Sequence, residues 1–229
     1  MIVAVHQPQY LPWLGYFDKI RRADMFCYLD SVQYKKNDWQ NRNRIKTSQG
    51  WQWLTVPVRF KYPEKISEVK INPTVKWRQK HLQALVTNYR RAPFFDQYIE
   101  IFEQIYSEDW ELVSELNICF IERLKAVLGL GAKKAIRSSQ LDLSEDPTDR
   151  LIDICSAANA DIYLSGQDGI KYMDLERFKA NGVQVVVQDY RHPVYPQMFA
   201  GFESHMSVVD LLFNCGPKSL AIIKEGNSE

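Results

Sequence analysis

The sequence predicts an α/β protein built on a mostly parallel sheet flanked by helices, with a helical insertion. Three observations predict it. The first thirty residues read strand, loop, helix, strand; three long helical patterns fill residues 75–130; and strand–helix alternation resumes from Lys134 to Gln188. A strand–helix–strand unit of about thirty residues implies parallel pairing through a right-handed crossover.

Taken in order, Ile2–Val5 is a short apolar strand that stops at His6-Gln7-Pro8-Gln9-Tyr10-Leu11-Pro12, where two prolines forbid a helix interior. Pro12 suits the first turn of a helix over Trp13–Arg22, with Leu14, Phe17 and Ile20 on its apolar face. Met25–Leu29 is the second strand. Arg44–Ser48 and Trp51–Val56 read as a hairpin turning at Gln49-Gly50, and Glu68–Ile71 as a further strand ending at Asn72-Pro73. Val75–Arg90, Pro93–Tyr106 and Asp109–Leu128 are helices; Pro93 starts the second, and Gly129 and Gly131 stop the third. This block reads as a helical insertion or lid over residues 75–130 within one domain spanning 1–229.

Lys134–Ser138 is a strand, and Asp146-Pro147-Thr148 opens a helix to Ala158, with Asp146 as N-cap. Asp161–Leu164 is a strand emptying into Ser165-Gly166-Gln167-Asp168-Gly169. Met173–Ala180 is a helix closed by Asn181-Gly182, and Val183–Gln188 is apolar enough for a buried strand. An irregular loop, Asp189 to Glu203, precedes a short helix over Ser207–Phe213, stopped at Gly216-Pro217. The whole is Rossmann-like, and in such sheets ligands bind outside the carboxyl ends of the strands.

Charge narrows the function. The 29 basic and 28 acidic residues leave a net charge of +1, without the basic excess a nucleic-acid partner requires. The start lacks a basic leader, and no apolar run nears the roughly 20 residues that span a bilayer, so a cytoplasmic protein without a membrane span is expected. Cys27, Cys119, Cys155 and Cys215 are scattered among apolar neighbours and form no metal-ligand spacing. They read as free buried thiols; no metal and no cofactor is expected.

The chemistry concentrates in two proline-stiffened segments that each follow an apolar strand. His6 is followed by Gln7, Gln9, Tyr10 and, further on, Tyr16, a polar set at a strand's carboxyl end. His192-Pro193-Val194-Tyr195-Pro196-Gln197 mirrors it in composition. If both strands belong to one parallel sheet, two histidines and two amides, Gln7 and Gln197, meet in one pocket. Histidine suits proton transfer near neutral pH, which makes His6 and His192 the catalytic candidates. The bland alternative is that the prolines only shape surface turns. Ser165-Gly166-Gln167-Asp168-Gly169 is a strand-to-helix loop of the kind that wraps phosphate, although it matches neither a Walker A nor a full GxGxxG pattern. Lys35 to Arg44 mixes cations, amides and Trp39; Arg42 and Arg44 carry forks suited to phosphate or carboxylate. His81 and His205 rank lower, and no serine or cysteine is set as a nucleophile.

The string His6-Gln7-Pro8-Gln9-Tyr10-Leu11-Pro12-Trp13, with Gly15 and Lys19, resembles the WbqC-like protein family. So do Trp39-Gln40-Asn41-Arg42-Asn43, Tyr163-Leu164-Ser165-Gly166, the His192–Gln197 segment, and Ser207 to Asn214, in the same order along nearly the whole chain. The resemblance implies a role in making or decorating bacterial surface polysaccharides such as the O-antigen of lipopolysaccharide, with transferase activity. It brings no agreed catalytic residues, so Lys19, Trp39, Ser165, Gly166, Tyr195 and Gln197 join the substrate-binding candidates on their motif positions. The opening is also similar to that of nucleotidylyltransferases and pantothenate synthetases, but Gly15-Tyr16 stands where those enzymes have Gly-His.

The expected reaction is acyl or aminoacyl transfer to an amino sugar or nucleotide sugar, with a carrier-linked acyl donor as second partner. His6 or His192 serves as base, Gln7, Gln197 and Tyr10 orient the sugar, and Arg42 and Arg44 neutralise a phosphate. The alternatives are a glycosyltransferase or nucleotide-binding transferase, and a non-catalytic binding protein of the polysaccharide machinery.

Overall fold

The computed structural model describes residues 1–227. The chain begins with β1 (Ile2–His6), α1 (Leu14–Arg22) and β2 (Met25–Tyr28). A hairpin follows, β3 (Arg42–Thr47) and β4 (Gly50–Thr55), then a small pair, β5 (Val58–Arg59) and β6 (Lys70–Ile71). Next come α2 (Trp77–Tyr89), α3 (Phe95–Ser107) and α4 (Val113–Val127). The alternating part resumes with β7 (Lys134–Arg137), α5 (Pro147–Ala157), β8 (Ile162–Ser165), α6 (Leu175–Ala180) and β9 (Gln184–Val187), and α7 (Val208–Cys215) and α8 (Ser219–Glu225) close the chain.

The central sheet has five strands in the order β7-β2-β1-β8-β9, and every pairing is parallel. Its two faces are both covered, as an all-parallel sheet requires. Side chains alternate along β1: Val3 and Val5 join a cluster with Ile154, Cys155 and Phe178 of α5 and α6, whereas Ala4 turns to the opposite face. That second face carries the main core, which holds Phe17 of α1 and where Phe102 of α3 packs with Phe120 of α4 and Phe213 of α7. The three long helices therefore bury their apolar stripes in the same core as the sheet.

Local chemistry accounts for the element ends. Asp146 caps α5, accepting from the N–H groups of Thr148 and Asp149 at 2.9 and 3.0 Å, with Pro147 at the first helical position. Asp174 caps α6 in the same way, which starts that helix at Leu175, two residues later than the periodicity predicts. Gly50 closes the β3–β4 turn at φ +104°, a conformation side chains disfavour. Both α8 and β5 lie outside the sequence expectation; β5 is two residues long, too short to show a period. Among the described residues, no helix is long and apolar enough to cross a membrane.

Candidate functional site

Strand order positions the cavity. The chain passes from β1 to β2 and β7 on one side, and only then reaches β8 and β9 on the other. β1 and β8 are neighbours whose following loops part in different directions, the switch point at which such sheets open a crevice. A cavity of about 760 Å³ lies there, lined by residues that follow the carboxyl ends of β1, β8 and β9. Trp13 and Trp39 wall it with aromatic surface.

His6 is the last residue of β1. Its Nδ1 lies 3.2 Å from the Gln7 carbonyl. A carbonyl only accepts, so Nδ1 carries the proton and Nε2 the lone pair. The Tyr16 hydroxyl donates to the same carbonyl at 3.2 Å, and its ring centroid is 4.9 Å from the imidazole. Burial, and after it the charge of Lys19, lower the His6 pKa to about 3. The ring is neutral at pH 7.

Lys19 sits on α1, one turn after Tyr16, on a helix buried from Leu14 to Ile20. Only 4 % of it is exposed. A β-carbon placed on Gly166 would lie 3.3 Å from its Nζ, so the ammonium faces the loop after β8. The adjacent carboxylate is committed elsewhere: Asp18 receives Arg21 at 2.8 Å, Gln188 Nε2 at 2.8 Å and Asn227 Nδ2 at 2.7 Å. Among the described residues, Lys19 Nζ has no hydrogen-bond partner and no carboxylate within ion-pair distance. Burial alone lowers its pKa to about 8, so the group remains mostly cationic at neutral pH. A buried cation without a partner is costly, and an anion beside it removes that cost.

The loop facing Lys19 is shaped to match. Gly169 N–H donates to Gly166 C=O at 3.0 Å, closing a turn. The N–H groups of Gly166, Gln167 and Asp168 donate no hydrogen bond among the described residues. A side chain at Gly169 would collide with Ser165 Oγ. Gln9, 8 % exposed, lines the same cavity, and its Oε1 is buried without a partner. The cavity thus combines donors and one cation suited to an oxyanion with one acceptor, His6 Nε2, suited to an amine or hydroxyl.

A smaller cleft of about 330 Å³ adjoins the cavity; Asp38 and Trp39 line both. The Arg42 guanidinium lies 4.2 Å above Trp53, and that of Arg44 lies 5.0 Å from Trp51 and 5.8 Å from Trp39. Among the described residues, no group of three or more His, Cys, Asp or Glu side chains is placed to hold a metal ion. Burial pushes the Cys27 and Cys155 thiols up to about 12, so neither is a thiolate nucleophile.

The family model of the WbqC-like protein family matches residues 7–222. The chain belongs to that family. It is 39% identical, over 221 residues covering 95% of each chain, to the uncharacterized protein Rv1507c of Mycobacterium tuberculosis. No solved structure matches it.

Within this WbqC-like chain, His6, Gln7, Gln9, Tyr16, Lys19, Trp39, Ser165 and Gly166 stand together around the cavity. Arg42 and Arg44 lie in the adjoining cleft instead. Four expectations are corrected. Tyr10 is wholly buried, its hydroxyl 2.8 Å from His81 Nδ1 and 2.5 Å from the Tyr106 hydroxyl, and so cannot orient a sugar in the cavity. Tyr195 is 4 % exposed and packs against Phe202. Gln197 Nε2 donates to Glu203 C=O and to buried Asp210, holding the late loop to α7. His192 does not line the cavity. Its ring stacks on Trp13 at 6.5 Å and 12°, its Nδ1 bonds the Pro193 carbonyl at 2.9 Å, and its Nε2 is buried. Of the two imidazoles expected to share one hollow, only His6 lines it; His192 packs against Trp13 and Tyr195 in the late loop.

The histidine that does line the cavity beside Trp13 is His205, 5.5 Å from that ring, which ranked low in sequence. Its φ of +59° is invisible in composition. Gln188 was legible, since it ends the strand predicted over Val183–Gln188; it ties β9 to α1 through Gly15 C=O at 2.9 Å.

Proposed function

We propose that this WbqC-like protein is a transferase that binds a nucleotide-linked amino sugar in the cavity at the β1–β8 switch point and acylates or aminoacylates its amine. The setting is bacterial surface polysaccharide synthesis, such as that of O-antigen. One observation carries the reading: Lys19, a side chain 4 % exposed whose ammonium has no partner among the described residues, opens onto the cavity beside the loop after β8, where the N–H groups of residues 166–168 have no protein acceptor. That pairing suits a phosphate. The cavity volume is that of a small-molecule site.

In the proposed step, the phosphate engages Lys19 and the loop, and the sugar amine lies against His6 Nε2. The amine lone pair attacks the carbonyl carbon of an activated acyl donor, a carrier-linked thioester. The C–N bond forms, the C–S bond breaks, and the thiolate leaves. The amine proton passes to His6 Nε2 and from there to the departing sulfur. Burial makes neutral His6 a weak base, and the unpaired charge of Lys19 weakens it further. An anion on Lys19 cancels the repulsion and raises His6 basicity when substrate is present.

Mass spectrometry of the surface glycan tests the reading, comparing strains that carry the wild-type or the Lys19→Met protein. Loss of an acyl or aminoacyl mass from one sugar supports it. A truncated sugar chain points to glycosyl transfer, and an unchanged glycan to a binding protein; either result overturns the proposal.

A further inference from the structure

Arg42 and Arg44 project from alternate positions of β3 onto the tryptophans of β4 and the Trp39 loop. Residues two apart on a strand share a face, so both guanidiniums lie on one side of the hairpin. Register places Arg44 opposite Trp53 and Arg42 opposite Thr55, which lets the Arg42 guanidinium lie across Trp53 at 4.2 Å. Indole faces fix the planes of the guanidiniums and leave their N–H edges free. The edges are under-used. Nε of each arginine is buried and out of a ligand's reach, so the Nη groups are the available edge; neither side chain forms an ion pair among the described residues. Arg44 has one long bond, 3.4 Å from Nη2 to the His205 carbonyl.

The cleft they line contains one carboxylate, Asp38, which is held by Lys35 at 3.2 Å and by the Trp39 N–H at 2.7 Å. Two forked cations therefore face a recess with no anion assigned to them. Lys19 lines only the larger cavity and the two arginines only the smaller one, while Asp38 and Trp39 form the wall between. A single phosphate engaged with Lys19 leaves the arginines unserved, and transfer between two reactants needs a second place to bind.

We propose that the hairpin cleft binds an oxyanion group of the second substrate through the guanidinium edges of Arg42 and Arg44, so that the two reactants meet across Asp38 and Trp39. This rests on the two-substrate reading above and adds the recognition element of the partner reactant. The oxyanion has two chemical sources, the phosphate of a pantetheine-type acyl carrier arm or the free carboxylate of a dicarboxylic acyl group.

Calorimetric titration of the full chain with 4′-phosphopantetheine, and separately with succinate, distinguishes the sources, with tryptophan emission as a second readout because Trp39, Trp51 and Trp53 surround the arginines. At least one probe is expected to saturate and quench emission. Arg42→Gln and Arg44→Gln each weaken it by roughly tenfold or more, as loss of a charged fork does. Arg42→Lys, which keeps the charge but loses the fork, is expected to fall between wild type and Arg42→Gln. Lys19→Met leaves the binding within about threefold, a change of under 1 kcal/mol. Both arginines lie on a half-exposed hairpin face, and unchanged unfolding midpoints show that the variants fold. Failure of both probes to saturate by about 20 mM, weaker than any useful substrate affinity, overturns the proposal. So does binding that survives both arginine changes or disappears with Lys19→Met. The transferase reading fails separately, on the glycan mass.

Discussion

Lys19 and Gly166 meet across the switch point of the sheet: Nζ of the first stands 3.3 Å from where a β-carbon would sit on the second. Helix α1 supplies the cation, and the loop after β8 supplies bare backbone. Neither is complete without the other, and an oxyanion between them would satisfy both.

Replacing this lysine separates stability from binding. Its pKa is about 8 in the fold and returns to 10.5 on unfolding. Between those values the unfolded chain holds more protons, so the folded state gains stability as pH rises through the window; below 8 the penalty is present in full. Lys19→Met should therefore be more stable than wild type at pH 7 by up to about 3 kcal/mol, with the difference shrinking towards pH 10. Urea midpoints at the two pH values check this, and uridine diphosphate affinity should fall by roughly tenfold or more at the same time. A variant no more stable than wild type at pH 7 would contradict an unpaired cation.

The His6 ring should titrate near 3 in the free protein, because burial and Lys19 both oppose its charge. Its folded pKa lies below the unfolded value of 6.5, so its contribution to stability declines as pH falls from 6.5 through 3. Saturating uridine diphosphate should move the titration upward by offsetting Lys19. Imidazole proton or nitrogen shifts across pH, with and without the nucleotide, measure this; identical curves would remove the proposed coupling. His6→Gln should lower turnover by about 10²–10⁴-fold with little change in nucleotide affinity.

Two glycines hold the cavity walls in place. A β-carbon at Gly169 would strike Ser165 Oγ, and one at Gly15 would fall within the Trp13 ring. Gly15→Ala should displace Trp13 from His192 and His205, costing about 1–3 kcal/mol, as overpacking does. Thermal unfolding and the change in Trp13 near-ultraviolet dichroism, read against Trp13→Phe, check it.

Gln197→Ala distinguishes support from substrate contact. Its amide donates to Asp210 Oδ2 at 2.8 Å, while Tyr89 donates to Oδ1 at 2.8 Å, and burial raises the Asp210 pKa. Removing one donor from a buried carboxylate should cost about 1–3 kcal/mol of stability. Affinity for uridine diphosphate should stay at the wild-type level, since Gln197 lies outside the cavity lining.

Much of the frame was readable before any coordinates. Asp146-Pro147 carries capping chemistry that acts within three residues, and the cap forms. The strand–helix alternation around β1, α1 and β2 implied parallel pairing, and the register Val3 to Met25 is parallel. His6 at the end of an apolar strand belonged at the cavity edge by the same logic. The late loop was less readable: His192, Tyr195 and Gln197 have the composition of a site, yet composition cannot tell a polar group facing a hollow from one satisfying a buried Asp210.

What the residue order alone decided was local: periodicity, caps and turns act over a few residues, and they set the elements and the parallel sheet. Only the tertiary structure decided which charges lack partners. Lys19 stands out in sequence only by its motif position; it becomes a buried cation because α1 is covered on all sides and because Arg21, Gln188 and Asn227 claim Asp18, three groups drawn from places as far apart as 21 and 227. Long-range packing sets burial and counterion supply, and neither leaves a mark within a window of sequence.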